Sequence, residues 1–238
     1  MASALQLGDI TVDVLLKDIK NVHLSVHPPT GRVRIAAPIG ADMDAIRVFA
    51  ISKIDWIRKH QAKLVQQDRE PPREYIDRES HYVWGERLLL DVVERDQAPA
   101  VERDHRRLVL YVRPGVDRLA KEAVLSRWYR ELVKAEVPAL IAAWEPVMGV
   151  KVQRFYVQQM KTKWGSCTPM RRSIRLNTEL ALKPKMMLEY VVVHEMVHLL
   201  EPTHNQRFVA YMDRFMPNWP HLQRQLNSLP VRHSDWEL

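Results

Sequence analysis

The stretch Tyr190-Val-Val-Val-His-Glu-Met-Val-His-Leu-Leu200 decides how this chain folds, because it sets three polar residues inside an apolar helix pattern. Its centre reads His194-Glu195-x-x-His198. Two histidines four residues apart lie one turn apart on one face of an α-helix, so their imidazoles can converge on a single ion. Burying them among valines and leucines is costly unless they are paired or metal-bound. The stretch therefore predicts a buried helix that carries a metal site.

Two residues compete to be the third ligand of that site. His204 follows the Glu201-Pro202 step, which should end the helix and turn the chain back. Glu201 lies seven residues after His194, on the same helix face. We favour His204, because a ligand beyond the helix end approaches the ion from another direction. Three protein ligands and one open position are typical of catalytic zinc.

We therefore expect His194, His198 and His204 to hold one Zn²⁺, although iron, manganese or nickel also accept three imidazoles. Glu195 is rotated about 100° from His194 around the helix axis, so its carboxylate can lean over the open side of the ion. There it can take a proton from a water molecule. The pattern thus predicts a metal-dependent hydrolase with Glu195 as general base.

Composition limits the class of protein and its compartment. The chain has 238 residues, of which 46% are hydrophobic and 27% are charged, so it is neither disordered nor fibrous. A single cysteine, Cys167, excludes a disulfide framework and a thiolate zinc site. The N-terminus lacks the pattern of a signal peptide, and no apolar run is long enough to span a membrane. We expect a soluble, cytoplasmic protein without a membrane partner.

Positive charge is concentrated in the second half of the chain. Residues 1–116 carry 18 basic and 17 acidic side chains, whereas residues 117–238 carry 18 and 12. Within 151–185 there are nine basic residues and one acid, Glu179. Such a segment attracts an anionic substrate or nucleic acid if its charges share one face. If they do not, it is an ordinary solvated surface.

The order of elements predicts an α+β fold without an internal sequence repeat. Strand patterns cover 10–37, a single helix is expected over 42–67, and further strands are expected near 81–93 and 107–113. After Pro114-Gly115 the pattern becomes helical, and Pro138 either kinks this helix or opens a second one. Later segments read as strands at 150–158 and 172–177, then as helices near 184–201, 204–215 and 218–228.

We take Pro114-Gly115 as the boundary between two regions. Residues 1–115 form a strand-rich part with one long helix, and residues 116–238 form a helix-rich catalytic part with a small sheet. The sequence leaves open whether the two share one core, and it does not indicate an oligomeric state.

Several blocks in a fixed order carry a family resemblance. They are Lys161-Thr-Lys-Trp-Gly-Ser-Cys-Thr168, Ile174-Arg-Leu-Asn177, Tyr190 to His198, His204, Phe208 and Pro217-Asn-Trp219. This set resembles the YgjP-like metallopeptidase-domain family, which is grouped with the SprT and WLM zinc peptidases. The resemblance implies a zincin-like fold, with a small sheet over the metal helix and an edge strand along the cleft.

The resemblance also places the metal on His194, His198 and His204 and the base on Glu195. It assigns no chemistry to the Trp164–Cys167 block. Metzincins share the histidine spacing but have Gly where this chain has Glu201, which argues against membership in that group.

A peptide or protein is accordingly the leading substrate. Residues 172–177 are expected to pair with an extended peptide by strand addition. Lys163, Arg175, Tyr190 and Tyr211 are open candidates for stabilising the oxyanion.

Two other functions fit the same residues. The basic segment 151–185 suits phosphoanhydride hydrolysis of a nucleotide, although zinc on three histidines suits phosphoryl chemistry less well than magnesium does.

A nucleic-acid-binding module is the other alternative, because Phe155, Tyr156 and Trp164 interleave with basic residues, as in a stacking platform. Packing of these aromatics in the core is the more ordinary interpretation. Cys167 is not expected to act as a nucleophile, because nothing orients a base toward it.

Overall fold

The computed structural model describes residues 2–27, 30–66, 73–160 and 163–229, apart from the side chains of Ala2 and of 63–66. Residue 67, the predicted end of the first helix, and the first two residues of the Lys161–Thr168 block lie outside these ranges. The described residues form two compact units, which divide near residue 71. The turn at Pro114-Gly115 lies inside the second unit, because strands before it and a helix after it contribute to one core.

The first unit is built on a four-stranded sheet. Its strands are β1 (Ala2–Leu7), β2 (Ile10–Lys17), β3 (His23–His27) and β4 (Arg32–Pro38), in the order β1-β2-β4-β3. The central pair β2/β4 is parallel, and the two outer pairs are antiparallel. Alternation along β4 places Val33, Ile35 and Ala37 on the buried face. The strands predicted over 10–37 are confirmed, whereas β1 has no clear apolar alternation and was not predicted.

Two helices follow β4 where the sequence predicted one. They are α1 (Met43–Ser52) and α2 (Ile54–Gln66). Asp42 caps α1 by accepting a hydrogen bond from Asp44 N at 3.1 Å. The break falls at Lys53, directly after Ser52, whose hydroxyl donates to Phe49 O at 2.7 Å. Such a local side-chain bond competes with the helical backbone pattern, and an uninterrupted apolar stripe does not reveal it.

The second unit begins with a sheet that repeats the strand order of the first. Its strands are β5 (Ser80–Val83), β6 (Glu86–Glu94), β7 (Ala100–Arg103) and β8 (Arg107–Val112), in the order β5-β6-β8-β7. Again the central pair is parallel and the outer pairs are antiparallel. The two sheets therefore share one topology, although the sequence shows no repeat.

A long helix, α3 (Arg118–Met148), follows this second sheet without interruption. The side chain of Asp117 caps its start, and Gly149, in the left-handed conformation (φ 68°), ends it. Pro138 lies inside the helix on its exposed side, where water can satisfy the carbonyl that proline leaves unbonded. The helix therefore continues through Pro138, and no second helix opens there.

A small sheet comes next, formed by β9 (Arg154–Gln158), β10 (Gly165–Thr168) and β11 (Ser173–Asn177). The order is β10-β11-β9, with β11 antiparallel to β10 and parallel to β9. The prediction that 172–177 would accept a peptide by strand addition is therefore wrong. Both edges of β11 are already paired, and β10 is the strand with an open edge toward the cleft.

Three helices complete the second unit: α4 (Lys185–Val197), α5 (Gln206–Phe215) and α6 (Trp219–Ser228). The first of them ends four residues before its predicted limit. All three pack into one hydrophobic core with α3 and the strands β5 to β11. No helix in the described part of the chain is long and apolar enough to cross a membrane. The α+β class is confirmed.

Candidate metal centre

Helix α4 carries two of the predicted ligands from inside the core. Nine of the eleven residues from Met187 to Val197 are buried, which is typical of a helix packed on most sides. The side chains of Val192, Val193 and Met196 are completely buried. His194 lies in the last turn, and His198 is the first residue beyond it with helical backbone angles (φ −63°, ψ −14°). The two rings therefore stay one turn apart, with their centroids separated by 5.0 Å.

The turn after α4 brings His204 back to these rings. The amide of Glu201 donates to Val197 O at 2.9 Å, which closes the end of the helix. At the other end of the turn, Asn205 caps α5 through its side-chain oxygen. Between these two fixed points, the ring of His204 lies with its centroid 4.7 Å from that of His198.

The structure thus brings the three predicted histidines together. One ligand nitrogen from each lies within 4.8 Å of the other two, and the Nε2 atoms of His194 and His204 are 3.0 Å apart. Nitrogens that bind one zinc tetrahedrally at 2.0–2.1 Å are about 3.4 Å apart. The Nε2 atoms of His194 and His204 are thus close to this spacing, and the cluster offers the donor chemistry that a single zinc ion requires.

The protonation of the rings also suits a metal. His198 Nδ1 is 3.1 Å from the carbonyl oxygen of Glu201. A carbonyl can only accept, so Nδ1 carries the hydrogen and Nε2 keeps a free lone pair. Burial lowers the pKa of His198, and burial followed by the neighbouring rings lowers the pKa of His194 to about 3. Neutral imidazole is the form that binds metal ions.

Glu201, the competing third ligand, is engaged elsewhere. Its carboxylate accepts hydrogen bonds from the hydroxyl of Thr203 at 3.0 Å and from the amide of Thr203 at 3.3 Å. These hydrogen bonds lower the pKa of Glu201. The carboxylate thus shapes the turn that presents His204, and it does not join the imidazole cluster.

Glu195 faces a cleft of about 470 Å³ that the three histidines also line. Its side chain is buried, and burial raises its pKa to about 8, while the positive charge of Lys163 acts in the opposite direction. Its Oε2 atom is buried without a hydrogen-bond partner among the described residues. Because Glu195 lines the cleft, its carboxyl group can accept a proton from a molecule bound there.

A comparison with known families decides what this arrangement belongs to. A family model described as YgjP-like, metallopeptidase domain, matches residues 20–229, which include the cleft and the whole imidazole cluster. The chain belongs to the YgjP-like metallopeptidase-domain family. The resemblance seen in the sequence is thereby confirmed. Membership makes the protein a zinc metallohydrolase of the peptidase class and implies a metal cofactor.

Two solved structures resemble part of this YgjP-like domain. The metallopeptidase zymogen abylysin of Pyrococcus abyssi is 16% identical, with a TM-score of 0.36 over 38% of this chain and 90% of that one. The metallopeptidase zymogen jannalysin of Methanocaldococcus jannaschii is 14% identical, with a TM-score of 0.35 over 38% and 93%. At TM-scores this low, neither similarity supports a conclusion about fold or function. No curated protein matches the chain significantly.

The YgjP-like domain disperses the basic residues of 151–185. Lys151 and Lys185 form ion pairs with glutamates of α3, and Lys183 is buried. Of the described basic side chains in this segment, only Lys163 lines the cleft. The segment therefore does not present its charges on one face at the site, and an anionic substrate or a nucleic-acid partner stays a prediction.

Of the remaining candidates for stabilising the oxyanion, one lines the cleft and two do not. Tyr190 lines the cleft, and burial raises its pKa to about 12. Arg175 donates to Thr168 Oγ1 at 3.1 Å and does not line the cleft, nor does Tyr211. Phe155 and Trp164 pack against the core, as the ordinary interpretation had it, and Trp164 also lines the cleft. That interpretation is wrong for Tyr156, which is exposed, with the guanidinium of Arg175 5.5 Å from its ring centroid.

All four residues of the Trp164–Cys167 block line the cleft of this YgjP-like domain. Cys167 lines the cleft, and burial followed by the charge of Glu195 raises its pKa to about 12. Its thiol is therefore protonated at neutral pH and is a poor nucleophile. Gly165, beside Glu195, was not singled out from the sequence. The signal available for it was a glycine inside a short strand, which often marks a close approach.

Proposed function

We propose that this domain is a single-zinc peptidase in which His194, His198 and His204 hold the ion and Glu195 is the general base. The observation that carries the proposal is the convergence of three imidazole nitrogens within 4.8 Å in the same cleft as a buried carboxylate. When bound, zinc supplies Lewis-acid chemistry, which makes water acidic near neutral pH and polarises a carbonyl group.

Glu195 is suited to move the proton in this reaction. A general base works best when its pKa lies near the working pH. In the metal-free chain burial raises the pKa of Glu195 to about 8, and a cation bound in the cleft acts in the opposite direction, toward the ionised form that a base requires. Its carboxyl group, which lines the same cleft as the three histidines, accepts the proton of the attacking water and then delivers it to the leaving amine. Because the carboxyl is nearly enclosed by protein, bulk water does not compete for that proton.

The open edge of β10 supports a peptide as the substrate. Asn177 N donates to Trp164 O at 2.9 Å, so the backbone groups of Trp164 face β11. In an antiparallel pair the residues alternate, and the amides and carbonyls of Gly165 and Cys167 therefore face the open edge. Both residues line the cleft. An extended peptide can add to such an edge through main-chain hydrogen bonds.

The test compares the wild type with Glu195→Gln, both purified without a chelating tag. Elemental analysis gives the metal content, and labelled casein and a panel of nucleoside triphosphates are offered as substrates. We expect one zinc per chain in both proteins, cleavage of casein by the wild type, and a fall of about 10²–10⁴-fold in turnover for the variant.

Each arm has a result that contradicts part of the proposal. A fully active Glu195→Gln removes Glu195 as the base. A wild type that hydrolyses nucleoside triphosphates and leaves casein intact replaces the peptidase with the phosphoanhydride hydrolase. Protein without a stoichiometric divalent metal removes the histidine site.

A further inference from the structure

The Trp164–Cys167 block touches the catalytic helix at one point, Gly165. A Cβ atom built on Gly165 would lie 2.5 Å from Oε1, 2.8 Å from Cγ and 2.9 Å from Cδ of Glu195. Real Cβ atoms essentially never come within 3.0 Å of another heavy atom. We propose that Gly165 is the positioning residue for Glu195, because its missing side chain forms the seat in which the carboxyl group lies. This inference rests on the proposed role of Glu195 as the base.

Backbone conformation does not account for glycine at this position. Six of the seven glycines in the chain have φ between 62° and 87°, where residues with a side chain are strained. Gly165 is the exception, since it lies in an ordinary strand conformation that alanine adopts without strain. Glycine weakens a strand, and it is used there when another group approaches the backbone closely. The approaching group here is the carboxyl of Glu195.

Hydrogen bonds hold β10, the strand that carries Gly165, in place, so it cannot move away from Glu195. Asn177 donates from its side-chain amide to Met160 O at 2.8 Å and to Lys163 O at 2.9 Å. Its main-chain amide donates to Trp164 O at 2.9 Å. Because these bonds fix the chain that enters β10, an added Cβ must be accommodated mainly by Glu195. That side chain is only 5% exposed and lines the cleft, so its displacement moves the carboxyl group within the site.

A displaced carboxyl group slows the chemical step more than it weakens substrate binding. A misplacement of about 1 Å in a catalytic group can cost about 10²-fold in rate. Gly165→Ala leaves the main-chain groups of β10 and the three histidines unchanged. We therefore expect kcat to fall by about 10²-fold, KM to change by less than about 3-fold, and the zinc content to stay at one per chain.

A stability cycle tests the contact without reference to activity. Melting temperatures are measured for the wild type, Gly165→Ala, Glu195→Ala and the double variant, all as full-length zinc-loaded protein. In the wild type, overpacking should lower Tm by about 5 °C. In the Glu195→Ala background the obstacle is gone, and alanine should leave Tm unchanged or raise it slightly, because it restricts the unfolded chain. An equal loss in both backgrounds overturns the proposal.

The split between kcat and KM separates positioning from a merely structural role. With labelled casein as substrate, Gly165→Ala should cost about 10²-fold in kcat while KM stays nearly unchanged. A Gly165→Ala enzyme with the kcat of the wild type overturns the proposal.

Failure of the proposed function leaves a different trace. A wild type that cleaves neither casein nor nucleotides counts against the peptidase alone. The stability cycle then decides the seat by itself, because it requires only a folded chain and no turnover.

Discussion

The two four-stranded sheets share strand order and strand direction, but the cores beside them differ in kind. The core of the first unit consists of apolar side chains from β1, β2, β4, α1 and α2. Among the described residues, every buried polar or charged side chain belongs to the second unit: Arg73, His81, Ser173, Asn177, Thr178, Lys183, Glu195 and His198. A buried polar group costs free energy unless it is hydrogen-bonded. The core of the second unit therefore carries a desolvation cost that is absent from the core of the first.

The comparison shows that the topology of the sheet does not create the site. Both units place a sheet before a helix, yet only the second continues into a small sheet and a buried helix that hold polar groups in the core. Four of the eight residues, Ser173, Asn177, Glu195 and His198, lie on β11, on α4 or directly after α4. Arg73 and His81 form a second buried polar group, in which His81 contacts Tyr129 of α3.

The largest effect is expected from removing one ring of the cluster. His194→Ala should abolish stoichiometric zinc binding and activity, because two imidazoles do not replace three as a zinc site. It should also remove the zinc-dependent rise in the stability of the second unit, about 4 kcal/mol when zinc is at a thousand times its Kd. Elemental analysis and thermal melts with and without zinc provide the readouts.

The matched control is His27→Ala, a partly buried histidine of the first unit. This variant should keep one zinc per chain. If His194→Ala retained a full zinc equivalent, the cluster would not be the metal site.

The next largest effect tests the apolar core of the first unit. Ile35 is completely buried in β4, and truncating it leaves a cavity among aliphatic neighbours. Ile35→Ala should lower the free energy of unfolding of this unit by about 2–5 kcal/mol. Urea denaturation, monitored through hydrogen exchange at the amides of β2 and β4, measures this loss in the free energy of unfolding. A loss below about 1 kcal/mol would show that this core is not closely packed.

A smaller, pH-dependent effect should distinguish the core of the second unit. Burial raises the pKa of Glu195 to about 8 from an ordinary value of 4.5. Between these values the folded state keeps a proton that the unfolded state has released, so stability falls as pH rises. The lowered pKa of His194 acts in the opposite sense, but only between about 3 and 6.5.

From pH 6.5 to 8, metal-free wild type should therefore lose about 2 kcal/mol relative to Glu195→Gln, which has no proton to release at this position. Urea titrations of the two chelated proteins at both pH values give the difference. Parallel pH profiles would mean that the carboxyl is ionised throughout this range.

The smallest effect is expected at Glu201. Its exposed carboxylate accepts from Thr203 and lies outside the imidazole cluster. Glu201→Gln keeps an oxygen that can accept these bonds, so zinc content should stay at one per chain and Tm should move by less than about 2 °C. Loss of zinc in this variant, with zinc retained in His204→Ala, would reverse the choice of third ligand.

Local patterns predicted most of the elements but missed those that depend on pairing. The alternation in 10–37 and the apolar run around His194 correctly predicted strands and a buried helix. By contrast, β10 reads Gly-Ser-Cys-Thr, which has no apolar alternation, and it becomes a strand because β11 pairs with it. Strand pairing is not visible in local patterns, and for this reason the sequence predicted peptide pairing at 172–177 and not at β10.

At the site, contacts between residues close in the sequence could be predicted, whereas contacts between residues far apart in the chain could not. The spacing of His194, His198 and His204 follows from helix geometry and one turn, and the structure brings these rings together. The contact of Gly165 with Glu195 joins residues that are far apart in the chain, and no local periodicity encodes it. Asn177, which ties down the entry to β10, has the same character.

Of the three histidines, only His204 is exposed to solvent. His194 and His198 lie at the end of the packed helix α4. An incoming cation meets a pair of donors already held in place and a third on the short turn before α5. For the proposed zinc site we therefore expect capture and release of the ion to require movement of the His204 side chain alone. The speed at which a chelator strips the ion should respond to changes in that turn and be insensitive to changes on the buried face of α4.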